Sequence, residues 1–279
     1  HISVPDVADF YACQSYTLPV IGIGNYFTQP GGQGTQLPAG TVIANTQTIY
    51  VYAETNTVPN CTAEDDFTVT IVQPPVVFPT TPMEVCSVDD LGHGIFDLTN
   101  AIQEAIGGQP DVAAIVYETQ ADANTGTNAN SVGNTTAYAN IDAYSQTLYI
   151  RLESIFSAEC YTIVPLQLTV NPRPTATEPS DYPLCDNGSD DNDGIGIFDL
   201  TTKTAEILGS LNPAQYTVSY YENQSDAING TGAITGPGAY SSGTDTIYAR
   251  VTNTTTGCYD IVELQLIVNP LPVANPPVP

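Results

Sequence analysis

The run Asp186-Asn187-Gly188-Ser189-Asp190-Asp191-Asn192-Asp193-Gly194, followed by Asp199, is the sharpest chemical candidate in this chain. Clustered carboxylates with Asn and Gly on one loop offer what Ca²⁺ requires, several hard oxygens on a flexible turn. Asp190, Asp191, Asp193 and Asp199 are the candidate ligands, and Ca²⁺ the candidate cofactor. The spacing is not that of an EF-hand, because no Glu stands at the twelfth position. The competing reading is a solvated acidic turn. The corresponding stretch about 100 residues earlier keeps only Asp89, Asp90 and Asp97, so a second site there is less expected.

Cysteine is the second reactive type. Cys13, Cys61, Cys86, Cys160, Cys185 and Cys258 fall two to a repeat, at within-repeat spacings of 48, 74 and 73 and between-repeat gaps of 25 and 25. None forms a close-spaced zinc or redox pair. Spacing does not fix connectivity. Closure within each repeat is the economical choice: Cys13–Cys61, Cys86–Cys160 and Cys185–Cys258. A closed loop of ~75 residues stabilises by about 4 kcal/mol in the chain-entropy model. Disulfides imply an oxidising compartment and therefore export.

Other chemistries find little support. Glu118 with Asp122 and Glu222 with Asp226 could be catalytic carboxylate pairs. A catalytic pair seldom recurs in tandem, so turns ordered by capping side chains are preferred. Arg151 and Arg250, half of all the cations, occupy matching positions and read as partners of nearby carboxylates. There are two histidines, His1 and His93, and no Gly-x-Ser-x-Gly elbow. Lys203 is the single lysine, so no phosphate loop exists, and a Lys–Asn crosslink is limited to the third repeat. The 17 tyrosines could line a carbohydrate-contacting surface, but strand tyrosines usually pack within a sandwich. The chain is expected not to be an enzyme.

The elements that must hold these residues come from a repeat. Gln146-Thr147-Leu148-Tyr149-Ile150-Arg151-Leu152 recurs as Asp245-Thr246-Ile247-Tyr248-Ala249-Arg250-Val251, and more loosely as Gln47-Thr48-Ile49-Tyr50-Val51-Tyr52-Ala53. Each copy precedes a cysteine and then a strand-like run ending in proline. Self-similarity at this period marks an array. The modules are placed at 1–74, a variant; 75–173; and 174–272. Residues 273–279 begin a linker towards a following module, which is expected because the chain reads as a segment of a longer secreted protein. Leu166, Leu168 and Val170 alternate with polar residues, as do Leu264, Leu266 and Val268, and Phe67, Val69 and Ile71: half-buried strands. Many short strands per ~100 residues predict three tandem immunoglobulin-like β-sandwiches, an all-β fold without the tryptophan of antibody domains. One short helix is expected in each of modules 2 and 3, over Ala101–Ile106 and Lys203–Leu208, ended by Gly107 and Gly209. Ile102 with Ile106, and Ile207 with Leu208, should face the sheets. Pro-rich junctions predict short, semi-rigid linkers and a beaded rod.

Four Lys plus Arg stand against 30 Asp plus Glu, a net charge of -26. That excludes neutralising a nucleic-acid backbone and electrostatic attachment to anionic lipid. No apolar run reaches the roughly 18 residues of a spanning helix, so no membrane insertion is expected in this segment.

The pattern Cys185-Asp186 … Asp193-Gly194 … Phe198-Asp199-Leu200-Thr201, then Tyr220-Tyr221-Glu222 … Asp226-Ala227, Ile247-Tyr248-Ala249-Arg250-Val251, Gly257-Cys258-Tyr259 and Leu264 to Pro270 resembles the tandem repeats of giant cell-surface proteins of Flavobacteria and related Bacteroidota. Module 2 matches through Phe96-Asp97-Leu98-Thr99, Tyr117-Glu118, Arg151, Cys160-Tyr161 and Val170-Asn171-Pro172. Module 1 resembles a companion module of the same proteins. The resemblance implies export by the type IX secretion system, attachment to the cell surface, and adhesin, filament or gliding-associated roles. Asp245-Thr246-Ile247 has the form of the Bacteroidota O-glycosylation acceptor, which makes Thr246 a candidate modification site. The expected function is an extracellular structural and adhesive repeat segment. Its partner is a surface ligand: a polysaccharide, a host cell or a neighbouring cell. The alternatives are accessory modules of a secreted polysaccharide-degrading enzyme, or a self-associating subunit of a homopolymeric filament.

Overall fold

In the computed structural model, residues 2–89, 91–127, 131–187 and 193–272 are described. The linker expected at 273–279 lies outside them. Module 1 comprises β1 (Phe10–Cys13), β2 (Tyr16–Thr17), β3 (Asn25–Gln29), β4 (Gln33–Leu37), β5 (Val42–Ile43), β6 (Gln47–Glu54) and β7 (Thr62–Val72). They form a sheet in the order β1-β7-β6-β3-β4 and a small β2-β5 sheet. Alternation puts Ile49, Val51, Phe67 and Val69 inward, where they meet Leu18, Tyr26 and Ile43 in one apolar core. Gly31 and Gly32 lie in the tight turn between β3 and β4. Gly32, at φ +67°, lies so close to the Tyr52 ring that a Cβ would stand 2.7 Å from it.

Module 2 adds β8 (Met83–Cys86), β9 (Ile95–Phe96), α1 (Thr99–Ile106), β10 (Val112–Tyr117), α2 (Gln120–Thr125), β11 (Tyr138–Ala139), β12 (Ser145–Ser154) and β13 (Ser157–Asn171). Its main sheet runs β10-β12-β13-β8, accompanied by β11-β9. Module 3 repeats the plan with β14 (Tyr182–Cys185), β15 (Gly196–Phe198), a 3-10 turn at Leu200–Lys203 leading into α3 (Thr204–Leu208), β16 (Tyr216–Tyr221), α4 (Gln224–Asn229), β17 (Tyr240–Ser242), β18 (Asp245–Asn253) and β19 (Tyr259–Asn269). Its sheets are β14-β19-β18-β16 and β15-β17. The fold is all-β, three β-sandwich-like modules with few short helices. The chain divides into two compact units, residues 1–83 with 95–169 and residues 84–94 with 170–279. Among the described residues no helix is long and apolar enough to cross a membrane.

Two expectations are corrected. Modules 2 and 3 each hold two helices, not one. The stretches around Asp122 and Asp226, read as turns, wind into α2 and α4, because Thr119 and Asn223 cap them: their side chains accept from the Asp122 and Asp226 N–H groups. On α1 the buried face is Ala101 and Ala105, with Ile102 and Ile106 only half-buried. In module 3 Ile207 and Leu208 are buried as expected.

The matching arginines explain why α2 and α4 exist at all, since helices of six residues do not survive alone. Arg151 Nη1 donates to Ala123 O at 2.7 Å and Asn124 O at 3.1 Å, and Nη2 to Ala158 O at 2.7 Å. Its Nε meets Glu153, and its guanidinium lies 3.4 Å from the centre of the Tyr161 ring. Arg250 does the same to Ala227 O and Ile228 O, over Tyr259 at 3.6 Å. Thr252 replaces the acidic partner there, so Arg250 has no ion pair among the described residues. In both modules a cation holds the carbonyl end of a helix against the sheet, the favourable sign for a helix C-terminus.

The C-cap glycine completes the clamp. Gly126 sits at φ +68°, and a Cβ there would stand 2.9 Å from Arg151 Cζ, whereas Gly108 at φ +72° has nothing within 4 Å. Gly126→Ala should therefore cost about 2 kcal/mol or more, against about 1 for Gly108→Ala, which carries the backbone penalty alone. Denaturant midpoints of the two variants check this.

Candidate functional site

The cysteines occupy fixed places on two strands. In module 1, β1 and β7 pair in parallel, with Cys13 opposite Val72, and Gln14 N–H bonds Val72 O at 2.8 Å. In module 3, Cys185 on β14 lies opposite Asn269 of β19, and Asp186 N–H bonds Asn269 O at 2.8 Å. In module 2, Ser87 N–H bonds Asn171 O likewise. The first cysteine of every module thus stands where the last strand leaves it. The second cysteine stands just before that strand in modules 1 and 3, at Cys61 and Cys258, and is its fourth residue in module 2, at Cys160. About ten residues of extended chain, roughly 33 Å, separate the two. A disulfide tolerates a Cα separation of at most about 7 Å.

Within-repeat closure is therefore excluded, and the expected pairs Cys13–Cys61, Cys86–Cys160 and Cys185–Cys258 are corrected. The bonds are Cys13–Cys160 and Cys86–Cys258, with Cα separations of 5.0 and 5.5 Å. Each joins the leaving end of one module to the starting end of the next module's last strand. Cys61 and Cys185 are free and exposed. Cys160 and Cys258 are fully buried. Their sulfurs lie 3.6 Å from Val72 O and 3.9 Å from Asn171 O, carbonyls of the preceding module's last strand. The loops closed span 147 and 172 residues, each worth about 5 kcal/mol in the chain-entropy model. An oxidising environment fits such bonds.

The linkers beside these bonds are docked. Thr162 Oγ1 donates to Pro75 O at 2.8 Å, and the Gln109 amide bonds both the N–H and the C=O of Val76. Thr81 N–H bonds Glu104, and Ser180 N–H bonds Glu206, at the same place in successive repeats. Tyr11 stacks on Phe156 at 5.0 Å, next to the Cys13–Cys160 bond.

The acidic loop is a different matter. Asp190 and Asp191 lie outside the described residues, as does Asp90 of module 2. Asp193 Oδ1 accepts from Ile195 N–H at 2.8 Å. Asp199 caps the turn that begins α3 by accepting from Thr201 N–H at 3.1 Å, as Asp97 does for Thr99 in module 2. Among the described residues no three His, Cys, Asp or Glu side chains gather as a metal site. Asp186, not among the expected ligands, is the buried one among the described residues of the run, at 4% exposure. The matching loop of module 2 is closed by Asp89. Its Oδ1 accepts from the N–H groups of Leu91 and His93, and its Oδ2 faces His93 Nδ1 at 2.8 Å. The His93 N–H, opposed by partial desolvation and aided by the His93 ring and Leu91 N–H, holds the Asp89 carboxyl down at about 2.

The remaining candidates have structural partners. Glu118 and Glu222 accept from the Tyr138 and Tyr240 hydroxyls at 3.3 Å, and Asp122 and Asp226 order the starts of α2 and α4. Thr246 lies opposite Gln265 and donates to its side chain at 2.9 Å, a cross-strand rung that Thr147 and Gln167 repeat. Sugar addition at Thr246 would have to replace that bond. Nothing in residue type alone marked the arginine clamp or the burial of Asp186.

Tandem β-sandwiches whose consecutive members are bonded cysteine to cysteine define a class of disulfide-laddered repeat proteins. The chain belongs to the family of the Flavobacterium inter-domain disulphide bond domain, which matches residues 82–174 and 181–272. Module 1, which has no helix among its described residues, lies outside both matches. Among solved structures the chain is similar to the I-band fragment I67-I69 of titin (10% identity, 96% of each chain, TM-score 0.33) and mouse cadherin-23 EC22-24 (12%, 95% and 96%, 0.24). It is also similar to the insect immune protein hemolin (9%, 96% and 75%, 0.26). No curated protein gives a significant match.

Two outcomes test this geometry. Peptide mapping without reduction should recover Cys13–Cys160 and Cys86–Cys258, with alkylation only at Cys61 and Cys185. Recovery of within-repeat pairs would show the register to be wrong. Because Asp89 titrates lower folded than its unfolded value of about 3.9, its contribution is complete above about pH 4 and disappears as the pH falls towards 2. The urea midpoint of Asp89→Asn should therefore fall less than that of the parent between pH 4 and 2.

Proposed function

We propose that this chain is an extracellular, non-catalytic segment of a long surface adhesin or filament, exported by the type IX route, in which disulfides carry tension past the module cores. The observation that supports this is the register of the two bonds. Cys61 and Cys86 are 25 residues apart, as are Cys160 and Cys185. Each 25-residue stretch contains a last strand, a linker and a first strand. Cys86 then hands over to Cys258, and Cys13 to Cys160. In an array of this register, two interleaved covalent cables run along the protein. Each consists of short stretches already extended as strand and linker, joined by sulfur. Cys61 and Cys185 are the positions through which the cables continue into flanking modules. Pulling then meets covalent bonds before it reaches the sandwich cores. That suits attachment under shear or gliding to a polysaccharide, a host cell or a neighbouring cell.

Single-molecule stretching tests the cable. Handles are joined by thioether bonds to Cys61 and to Leu271→Cys, in a chain carrying Cys185→Ser. Oxidised, the shortest covalent route holds about 38 residues and cannot exceed about 140 Å; reduced, it holds about 210 residues and reaches about 760 Å. Lengthening of the oxidised chain beyond 140 Å would mean that tension runs through the modules, and would remove the basis of this reading.

A further inference from the structure

We infer that module 3, and not module 2, binds one Ca²⁺ at the neck of its acidic loop, through the Asp186 carboxylate with Asp193 beside it. The two modules serve as an internal comparison. Ser87 and Asp186 follow their cysteines at the same place, and each donates its N–H to the last residue of the last strand at 2.8 Å. Both are buried, at 3% and 4% exposure.

In module 2 the described polar side chains of this neck, Ser87, Asp89 and His93, are partnered within the protein. The Ser87 hydroxyl bonds the carbonyls of Asp89 and His93, and the Asp89 carboxylate takes two N–H groups and the His93 ring. In module 3 a neutral hydroxyl is replaced by a carboxylate, and the histidine has no counterpart. Asp186 Oδ2 accepts from Gly194 N–H at 2.8 Å, across the neck, but Oδ1 is buried and has no hydrogen-bond partner among the described residues. No ion pair with Asp186 occurs among the described residues. A buried carboxylate oxygen facing neither donor nor cation is unfavourable, and native proteins leave few such groups. Asp193 precedes the Gly194 contact directly. With one oxygen on Ile195 N–H, it is exposed and brings a second carboxylate to the same neck.

Two carboxylates at an irregular loop neck suit Ca²⁺, which takes six to eight oxygens in flexible geometry, better than Mg²⁺, which demands an octahedron. Water and other oxygen donors complete the shell. Asp199 Oδ1 is engaged in its cap by the N–H and hydroxyl of Thr201. This inference does not depend on the cable: the stretching experiment can fail while the site binds, and the reverse.

The test is calorimetric titration of the oxidised chain with CaCl₂ in about 150 mM salt, which screens diffuse attraction to the acidic surface. The expected result is one saturable equivalent and a rise in melting temperature. Asp186→Ser, which installs the residue of module 2, should abolish both, while Asp66→Asn on an exposed strand position should leave them. If Asp186→Ser does not fold by circular dichroism, Asp193→Asn decides instead, with an expected loss of affinity on the order of tenfold or more. No saturable binding, binding that survives Asp186→Ser, or an affinity unchanged in Asp193→Asn overturns the site.

Discussion

Everything distinctive here depends on one pairing: the first strand of a module lies parallel to its last. Parallel neighbours cannot be joined by a hairpin, so the body of the module is inserted between them. The module therefore finishes beside the leaving end of its own first strand. A cysteine on the end of that first strand is presented outward, towards whatever follows. A cysteine at the start of the last strand is presented backward. The inter-module bond is the consequence of strand direction, and no local feature around any cysteine is needed to produce it.

The charge inventory follows a similar economy. Of four cations, Arg151 and Arg250 hold helix carbonyls, and Lys203 bridges Ser180 O and Glu206 where the linker docks. Three cations are thus used inside modules, leaving a surface of almost one sign. Like-charged neighbours in a chain repel, which opposes any close approach of one module to the next. The bonds Cys13–Cys160 and Cys86–Cys258 act against that repulsion, and so do the docked linkers. Solubility and cohesion are supplied by separate devices: acid on the surface, sulfur and linker contacts at the junctions.

Much of this is legible in the sequence. The period-two pattern of Leu166 and Leu168, and of Leu264 and Leu266, locates the last strands, and the repeat gives three modules. Gly107 and Gly209 end helices as expected. The second helix escapes such a reading because six residues with Ala at the buried position carry no apolar periodicity, and its support, an arginine about 25 residues away, is a tertiary fact. The disulfide pairing escapes it for a related reason. Two cysteines per repeat invite closure within the repeat unless strand direction is known, and composition does not reveal direction. The equal gaps of 25 are the available signal, since they span junctions rather than modules.

The exposure of Cys61 follows from the same geometry. Cys160 and Cys258 are buried because a carbonyl from the preceding module's last strand lies over each sulfur. Cys61 holds the same hairpin position: Thr55 N–H bonds Cys61 O at 3.0 Å, as Asn253 N–H bonds Cys258 O at 2.8 Å. What differs is the cover, not the local fold. At Cys160 and Cys258 the burial of the sulfur is thus supplied from outside its own module. Bonding and burial then arrive together, and the junction gains exclusion of solvent from the sulfur along with the covalent link. Stability at these two junctions rests on the bonds as much as on the modules, because each bond joins a cysteine of one module to a cysteine of the next.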